Sequence, residues 1–218
     1  MCGRFALVDT KELNTRFDTQ NSVDLEPMYN IAPSFQVPVI TRNSPNKVEL
    51  MKWGRIPYWA KGPKIGYKMI NARSEEVSSK ASFREPFKKR RCLVPANGFY
   101  EWKKLSDKNK QPYYIRYKDN RVFAFAGLYD VWKDAEGKEI RSFTILTTKP
   151  NKVVSEIHDR MPVILEKKDE DVWLNQDTEP DQLNLLFSIN DHKGLEAYKV
   201  STMVNSPQNQ GSELVNAT

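Results

Sequence analysis

Four closely spaced runs constrain the fold of this chain more than anything else in it. They are "GFYEWKKL" (98–105), "PYYIRY" (112–117), "RVFAFAGLYDVW" (121–132) and "IRSFTILTT" (140–148). Each is rich in aromatic and β-branched side chains, which suit a pleated, half-buried surface. The separators "SDKNKQ", "KDN" and "DAEGKE" are polar turn material, so antiparallel hairpins are the simplest connection. Helical signals are fewer and shorter: 10–17, 74–81, 150–157, 168–175 and 179–187, the last with Pro180 near its start, where a missing N–H costs little. The expected class is α+β: a meandering, mainly antiparallel sheet of barrel-like form with short peripheral helices. No repeat or low-complexity linker divides the chain, so residues 1–218 read as one domain, with the last seven or so residues expected to fray.

Bulk properties narrow the function classes. With 39% apolar residues and five tryptophans the chain can build an ordinary core. No run approaches the roughly 20 apolar residues of a membrane span, and no signal-peptide pattern opens the chain. Two cysteines, Cys2 and Cys92, are too few for a disulfide scaffold, so a reducing cytoplasm is expected. There is no Cys-x-x-Cys, no His-x-x-x-His and no Gly-rich phosphate loop, so neither a metal nor a cofactor is expected. The net charge of +6 is a modest surplus that favours a polyanionic partner.

The chain opens "MCGRF". A small residue in second place favours loss of the initiator methionine, after which Cys2 carries an α-amine and a thiol on adjacent carbons. A terminal amine titrates near ~8 against ~10.4 for lysine, so far more of it is unprotonated at neutrality and able to form an imine. The thiol can then close a five-membered thiazolidine. Against this stands Cys2 as a small buried apolar residue at the start of strand "RFALV". Further along, "KWGRIPYW" (52–59) places Trp53 and Trp59 either in the core or on a loop that stacks on unpaired bases, with Arg55 near for phosphates. In "INARSE" (70–75), Asn71 and Arg73 point to one side of an extended segment. "FREPFKKRRC" (83–92) gathers Arg84, Lys88, Lys89, Arg90 and Arg91, either a solvated face or a phosphate track. Glu101 lies inside the strand-like "ANGFYEW", so it is outward-facing, or buried with a raised pKa. His158 of "EIHDRMP" sits beside Asp159 and Arg160, whereas His192 in "NDHKG" reads as a surface loop.

Taken together and in order, "MCGRF", "YNIAP", "NARSE", "RRCLVPANGFYEW", "IHDRMP" and "VSTMVNSPQNQGSEL" resemble the SRAP family, SOS-response-associated proteins that process abasic sites in single-stranded DNA. The resemblance runs from residue 2 to about 214. It implies that Cys2, freed of Met1, bonds covalently to the abasic-site aldehyde. It further implies that Asn71 orients the reacting amine and sugar, that Glu101 is the acid for ring opening, and that His158 serves proton transfer and reversal. Arg4, Arg73, Arg84 and Arg160 become expected phosphate contacts, and Trp53 and Trp59 groove or wedge residues. Where some relatives carry a second aromatic directly after Trp59, this chain has Ala60. A monomer acting on single-stranded DNA is expected. Two other classes remain open: an N-terminal-nucleophile hydrolase using the Cys2 thiol on an amide, and a non-catalytic single-strand binder.

Overall fold

The computed structural model describes residues 2–42, 46–107, 109–188 and 191–218. In chain order the elements are β1 (Phe5–Leu7), α1 (Leu13–Phe17), β2 (Met28–Ile31), β3 (Gln36–Arg42), β4 (Asn46–Trp53), β5 (Asn71–Arg73), α2 (Ala81–Lys89) and β6 (Arg91–Ala96). Then come β7 (Gly98–Lys104), β8 (Lys110–Tyr117), β9 (Phe123–Lys133), β10 (Glu139–Thr148), α3 (Lys152–Ser155), β11 (Met161–Pro162), β12 (Ile164–Leu165), α4 (Lys167–Leu174), α5 (Pro180–Leu185) and β13 (Leu195–Lys199).

Strands β10, β4, β3, β6 and β9 pair in sequence, and β9 pairs back onto β10, which closes a ring. A second sheet of order β13-β8-β7-β1-β2 lies against it. The two are joined by aromatic edges: Phe5 and Phe99 each meet Phe125 of β9, at 5.8 and 6.0 Å between ring centres. This is the α+β, mainly antiparallel, barrel-like architecture expected from the strand runs.

The hairpins β7–β8 and β9–β10 form where the turn material stands. The meander does not continue between them, because β8 and β9 belong to different sheets. The chain crosses at 118–122, where Asn120 takes a left-handed turn conformation (φ 58°). Closure of the ring also needs the parallel pairing of β10 with β4, and β5 adds to β10 outside the ring in the same sense; no local pattern announces either.

The helix expected over 74–81 lies elsewhere. Residues Ser74–Glu76 make a single 3-10 turn and α2 begins at Ala81, burying Phe83, Pro86 and Phe87 on one face. Pro86 has no N–H, so the Ser82 carbonyl one turn earlier lacks its helical donor. Arg55 Nη2 supplies it at 2.7 Å and also pairs with Asp130 at 3.0 Å, with Arg55 only 1% exposed. Arg55 therefore mends a helix and reaches no phosphate. Two further expectations change in the same way. The chain end does not fray: Leu214 is buried, Tyr198 Oη donates to the Val215 carbonyl, and the Thr218 N–H donates to Lys199 O. His192 is buried and bonded to Tyr117 Oη rather than set in a surface loop.

Candidate active site

The sequence around each candidate side chain explains where the fold delivers it. Cys2 precedes β1, whose Phe5 pairs with Phe99 of β7, and this brings the chain start beside β7. On β7 the two-residue period puts Phe99 and Glu101 on one face, toward the barrel, and Tyr100 and Trp102 on the other. Glu101 is accordingly 2% exposed. Asn71 opens β5, which is held parallel to β10 through Ile145. His158 sits in the turn between α3 and β11, and the cap of α3 is set by the Asn151 side chain accepting from the Val154 N–H.

These residues converge. Asn71 Nδ2 donates to the Cys2 carbonyl at 2.7 Å. His158 Nε2 lies 3.8 Å from Glu101 Oε2, and its Nδ1 accepts the Arg160 backbone N–H at 3.0 Å. Asn71 Oδ1 is buried and has no hydrogen-bond partner among the described residues. An orphaned buried acceptor of this kind costs about 1–3 kcal/mol unless a ligand satisfies it.

Burial sets the electrostatics. It pushes the Glu101 carboxyl up to about 7, with Asp159 adding to the rise. It also drives the Cys2 thiol far above its ordinary value, the Glu101 charge reinforcing the effect. The thiol is thus neutral at physiological pH, so any bond it makes requires a neighbour to handle its proton. Burial likewise lowers the His158 pKa. A carboxyl near 7 beside a neutral imidazole is a proton-transfer pair matched to neutral pH.

The raised Glu101 pKa carries a stability prediction. The folded chain favours the neutral acid, so this contribution is complete at low pH and is lost as pH rises through about 7. Glu101→Gln should therefore be more stable than the parent by up to about 3 kcal/mol at pH 8 and above, with the gain fading toward pH 5. Urea titrations at the two pH values check this.

The expected DNA contacts divide. Arg73 and Arg84 are exposed on β5 and α2. Arg4 is committed inside the molecule: its Nη1 donates to Asn30 Oδ1 and to the Val204 carbonyl, both at 2.7 Å, clasping the C-terminal segment. Arg160 is held by Glu75 through two bonds of 2.6 and 2.9 Å, its side chain 13% exposed. In the basic run, Arg91 is buried and donates to the Phe87, Lys88, Trp173 and Asn175 carbonyls, and Arg90 lies 3.4 Å from Asp130. Only Arg84, Lys88 and Lys89 of that run face solvent.

Trp53 corrects a second expectation. It is fully buried, stacked on Phe143 and edge-on to Phe5, with Nε1 donating to the Ile70 carbonyl, so no face is left for a base. Trp59 is 53% exposed. Trp53→Ala should cost about 3–5 kcal/mol of stability, while Trp59→Ala should leave the melting midpoint nearly unchanged; thermal unfolding of the two variants separates a core residue from a surface one.

Sequence reasoning passed over the rest of the 54–70 loop. Tyr58, next to Trp59 in the chain, and Tyr67 are exposed, so a second exposed aromatic is present although Ala60 is not one. The loop is held tight. Gly54 (φ 117°) and Gly66 approach so closely that a Cβ on either would meet the other's carbonyl oxygen at 2.7 Å, and Trp132 Nε1 donates to the Ala60 carbonyl. A groove of about 380 Å³ follows, whose lining includes Lys68, Asn71, Arg73, Lys80 and Phe83, with Glu76 among them 3.8 Å from Arg73 and 3.4 Å from Lys80. Dense aromatics and lysines in "YWAKGPKIGYK" were the available signal. A larger hollow of about 520 Å³ lies around Arg16 and Arg42, but these are paired with Glu170 and Asp171, and it holds none of the candidate residues. Among the described residues no cluster of three His, Cys, Asp or Glu side chains is placed to hold a metal, and no helix is long and apolar enough to cross a membrane.

The fold is a closed five-strand barrel flanked by a second sheet, with Asn71 bonded to the Cys2 carbonyl and His158 near the buried Glu101. The chain belongs to the SRAP family: residues 1–207 match the family model described as SOS response associated peptidase (SRAP). It is 47% identical to the abasic site processing protein YoqW of Bacillus subtilis (strain 168) over 99% of both chains. It is also 33% identical to the abasic site processing protein HMCES of Xenopus tropicalis, over all of this chain and 78% of that one. Among solved structures it resembles a protein from Bacteroides thetaiotaomicron with a TM-score of 0.90 at 30% identity, covering all of both chains.

Proposed function

We propose that this protein processes abasic sites in single-stranded DNA by covalent capture, Cys2 being the reacting residue once Met1 is removed. Met1 itself lies outside the described residues. The observation that carries the reading is the convergence of Cys2, Asn71, Glu101 and His158, with Asn71 Oδ1 buried and awaiting a donor. The names of the relatives, abasic site processing proteins, agree with it.

The chemistry follows from the environment of each group. The abasic sugar rests mainly as a closed hemiacetal. Protonated Glu101 gives its proton to the ring oxygen as the bond from that oxygen to C1 breaks, and the C1 hydroxyl passes its proton to solvent water as it becomes the aldehyde. The Cys2 amine adds to the carbonyl carbon, and loss of water leaves an imine. The Cys2 sulfur then bonds to the same carbon, and its proton passes, by way of the Glu101 carboxylate, to the imine nitrogen. Aldehyde and aminothiol become thiazolidine and one water. Holding the reactants together makes ring closure effectively intramolecular, a large entropic advantage. An imine left uncaptured permits β-elimination, so strand cleavage is the expected side reaction. His158, held with Nε2 toward Glu101, would assist proton transfer in capture and reversal. Lys68, Arg73 and Lys80 line a groove in which a phosphate backbone would displace Glu76 from Arg73 and Lys80, and Trp59 and Tyr67 offer faces to unpaired bases. Arg84 extends the basic surface.

Incubation with an abasic single-stranded oligonucleotide, followed by a denaturing gel, tests this. A slow-migrating species that survives denaturation supports it. Reaction with amide substrates alone would instead favour the N-terminal-nucleophile hydrolase, and binding with no adduct would favour the simple single-strand binder.

A further inference from the structure

We propose that Glu75 is a positioning residue that holds the ring of His158 in its working tautomer. This rests on the reading of Cys2, Asn71, Glu101 and His158 as the reacting group. Glu75 stands two residues beyond β5, and its carboxylate grips Arg160 with two parallel bonds, Nη1 at 2.6 Å and Nη2 at 2.9 Å. A bidentate arginine–carboxylate pair fixes the relative orientation of its partners as well as their separation. Arg160 Nη2 donates in addition to the Thr147 carbonyl of β10 at 2.6 Å, the strand to which β5 is paired. One guanidinium therefore ties the end of β5, the edge of the barrel and the 158–160 turn into a single unit.

The consequence falls on the imidazole. With Arg160 anchored, its backbone N–H donates to His158 Nδ1. A nitrogen that accepts a hydrogen bond carries no proton of its own, so the neutral ring keeps its hydrogen on Nε2, the atom 3.8 Å from Glu101 Oε2. A competitor is present. Asp159 Oδ1 lies 2.9 Å from the same Nδ1 and would accept a hydrogen there, favouring the opposite tautomer or the protonated ring. Asp159 is 88% exposed and well solvated, whereas the Arg160 N–H is fixed by the clamp. Glu75 thus decides which partner Nδ1 serves, and so which nitrogen faces Glu101 with a proton.

The test uses the full chain with Met1 removed. It compares the parent with Glu75→Ala and Glu75→Gln, the latter keeping one acceptor for Arg160. With only two histidines, nitrogen NMR of the neutral rings is readily assigned, and buried His192, bonded to Tyr117, serves as an internal control. The expected result for Glu75→Ala is a His158 signal that moves from the Nε2–H form to a mixture of both tautomers, with His192 unchanged. Its capture of an abasic oligonucleotide slows about tenfold or more, while affinity for an undamaged strand changes less than about twofold. Glu75→Gln restores most of the Nε2–H form and most of the rate. A His158 tautomer indifferent to Glu75→Ala, or a loss of affinity that accounts for the whole loss of rate, overturns the proposal. If the parent itself captures nothing, the reading of the site fails, and the tautomer measurement still decides whether Glu75 sets the ring.

Discussion

Replacing Cys2 by alanine abolishes the stable protein–DNA adduct while leaving the affinity for single-stranded DNA within about twofold of the parent, because phosphate and base contacts supply that affinity. The variant keeps its α-amine, so it can still form an imine but cannot trap it with sulfur. Two signs should accompany the loss of adduct: an intermediate that borohydride fixes, and slow strand cleavage by β-elimination. A denaturing gel with and without borohydride reads both. A passive binder would show no difference between parent and variant, and an amidohydrolase would lose amide cleavage alone. Little of the effect will come from unfolding, since Cys→Ala removes a single buried sulfur, at a cost of about 1–2 kcal/mol.

Glu101→Gln has the second largest effect. The amide keeps the shape of the side chain and cannot give up a proton, so capture should slow by about a hundredfold or more, the usual contribution of a well-placed general acid. In the parent, ring opening needs Glu101 protonated and imine formation needs the amine unprotonated. With the carboxyl at about 7, the acid limb of the reaction declines above that pH, and with an α-amine near its usual ~8 the nucleophile is lost below it. Capture by the parent should peak between these values. Glu101→Gln should lose the alkaline decline and follow amine titration alone, which single-turnover rates across pH 5 to 9 will show. The same substitution stabilises the fold above neutrality, so its slowness cannot be attributed to unfolding.

What the amino-acid order revealed depended on whether a property was local. The strand runs of β7 to β10 were legible because aromatic and β-branched residues alternate with polar turns on a scale of ten residues. Their assignment to two sheets was not, since it depends on a turn at Asn120 and on parallel pairing between β10 and residues 70 to 90 positions earlier. Cys2, Asn71, Glu101 and His158 drew attention as reactive types in unusual settings, and the fold gathers them. The cationic and aromatic residues were harder, because a chain does not declare which side of a strand or loop meets water. Trp53, Arg55 and Arg91 sit inside, each donating to a backbone carbonyl, while Trp59, Tyr67 and Lys68, close in sequence to the first two, lie outside. Arg55 is instructive. Its burial depends on Pro86, a residue 31 places later, whose missing N–H leaves a carbonyl to be satisfied. The grip of Glu75 on Arg160 is of the same kind, a contact across 85 residues that only three dimensions can reveal.

The most direct measurement is the intact mass of the denatured product formed by the Met1-less chain and an abasic oligonucleotide. The account predicts one species at the sum of the two masses less one water, unchanged in mass by borohydride because a thiazolidine has no imine left to reduce, and absent with Cys2→Ala. An oligonucleotide recovered without protein, or an adduct that forms equally well without the Cys2 sulfur, would contradict it.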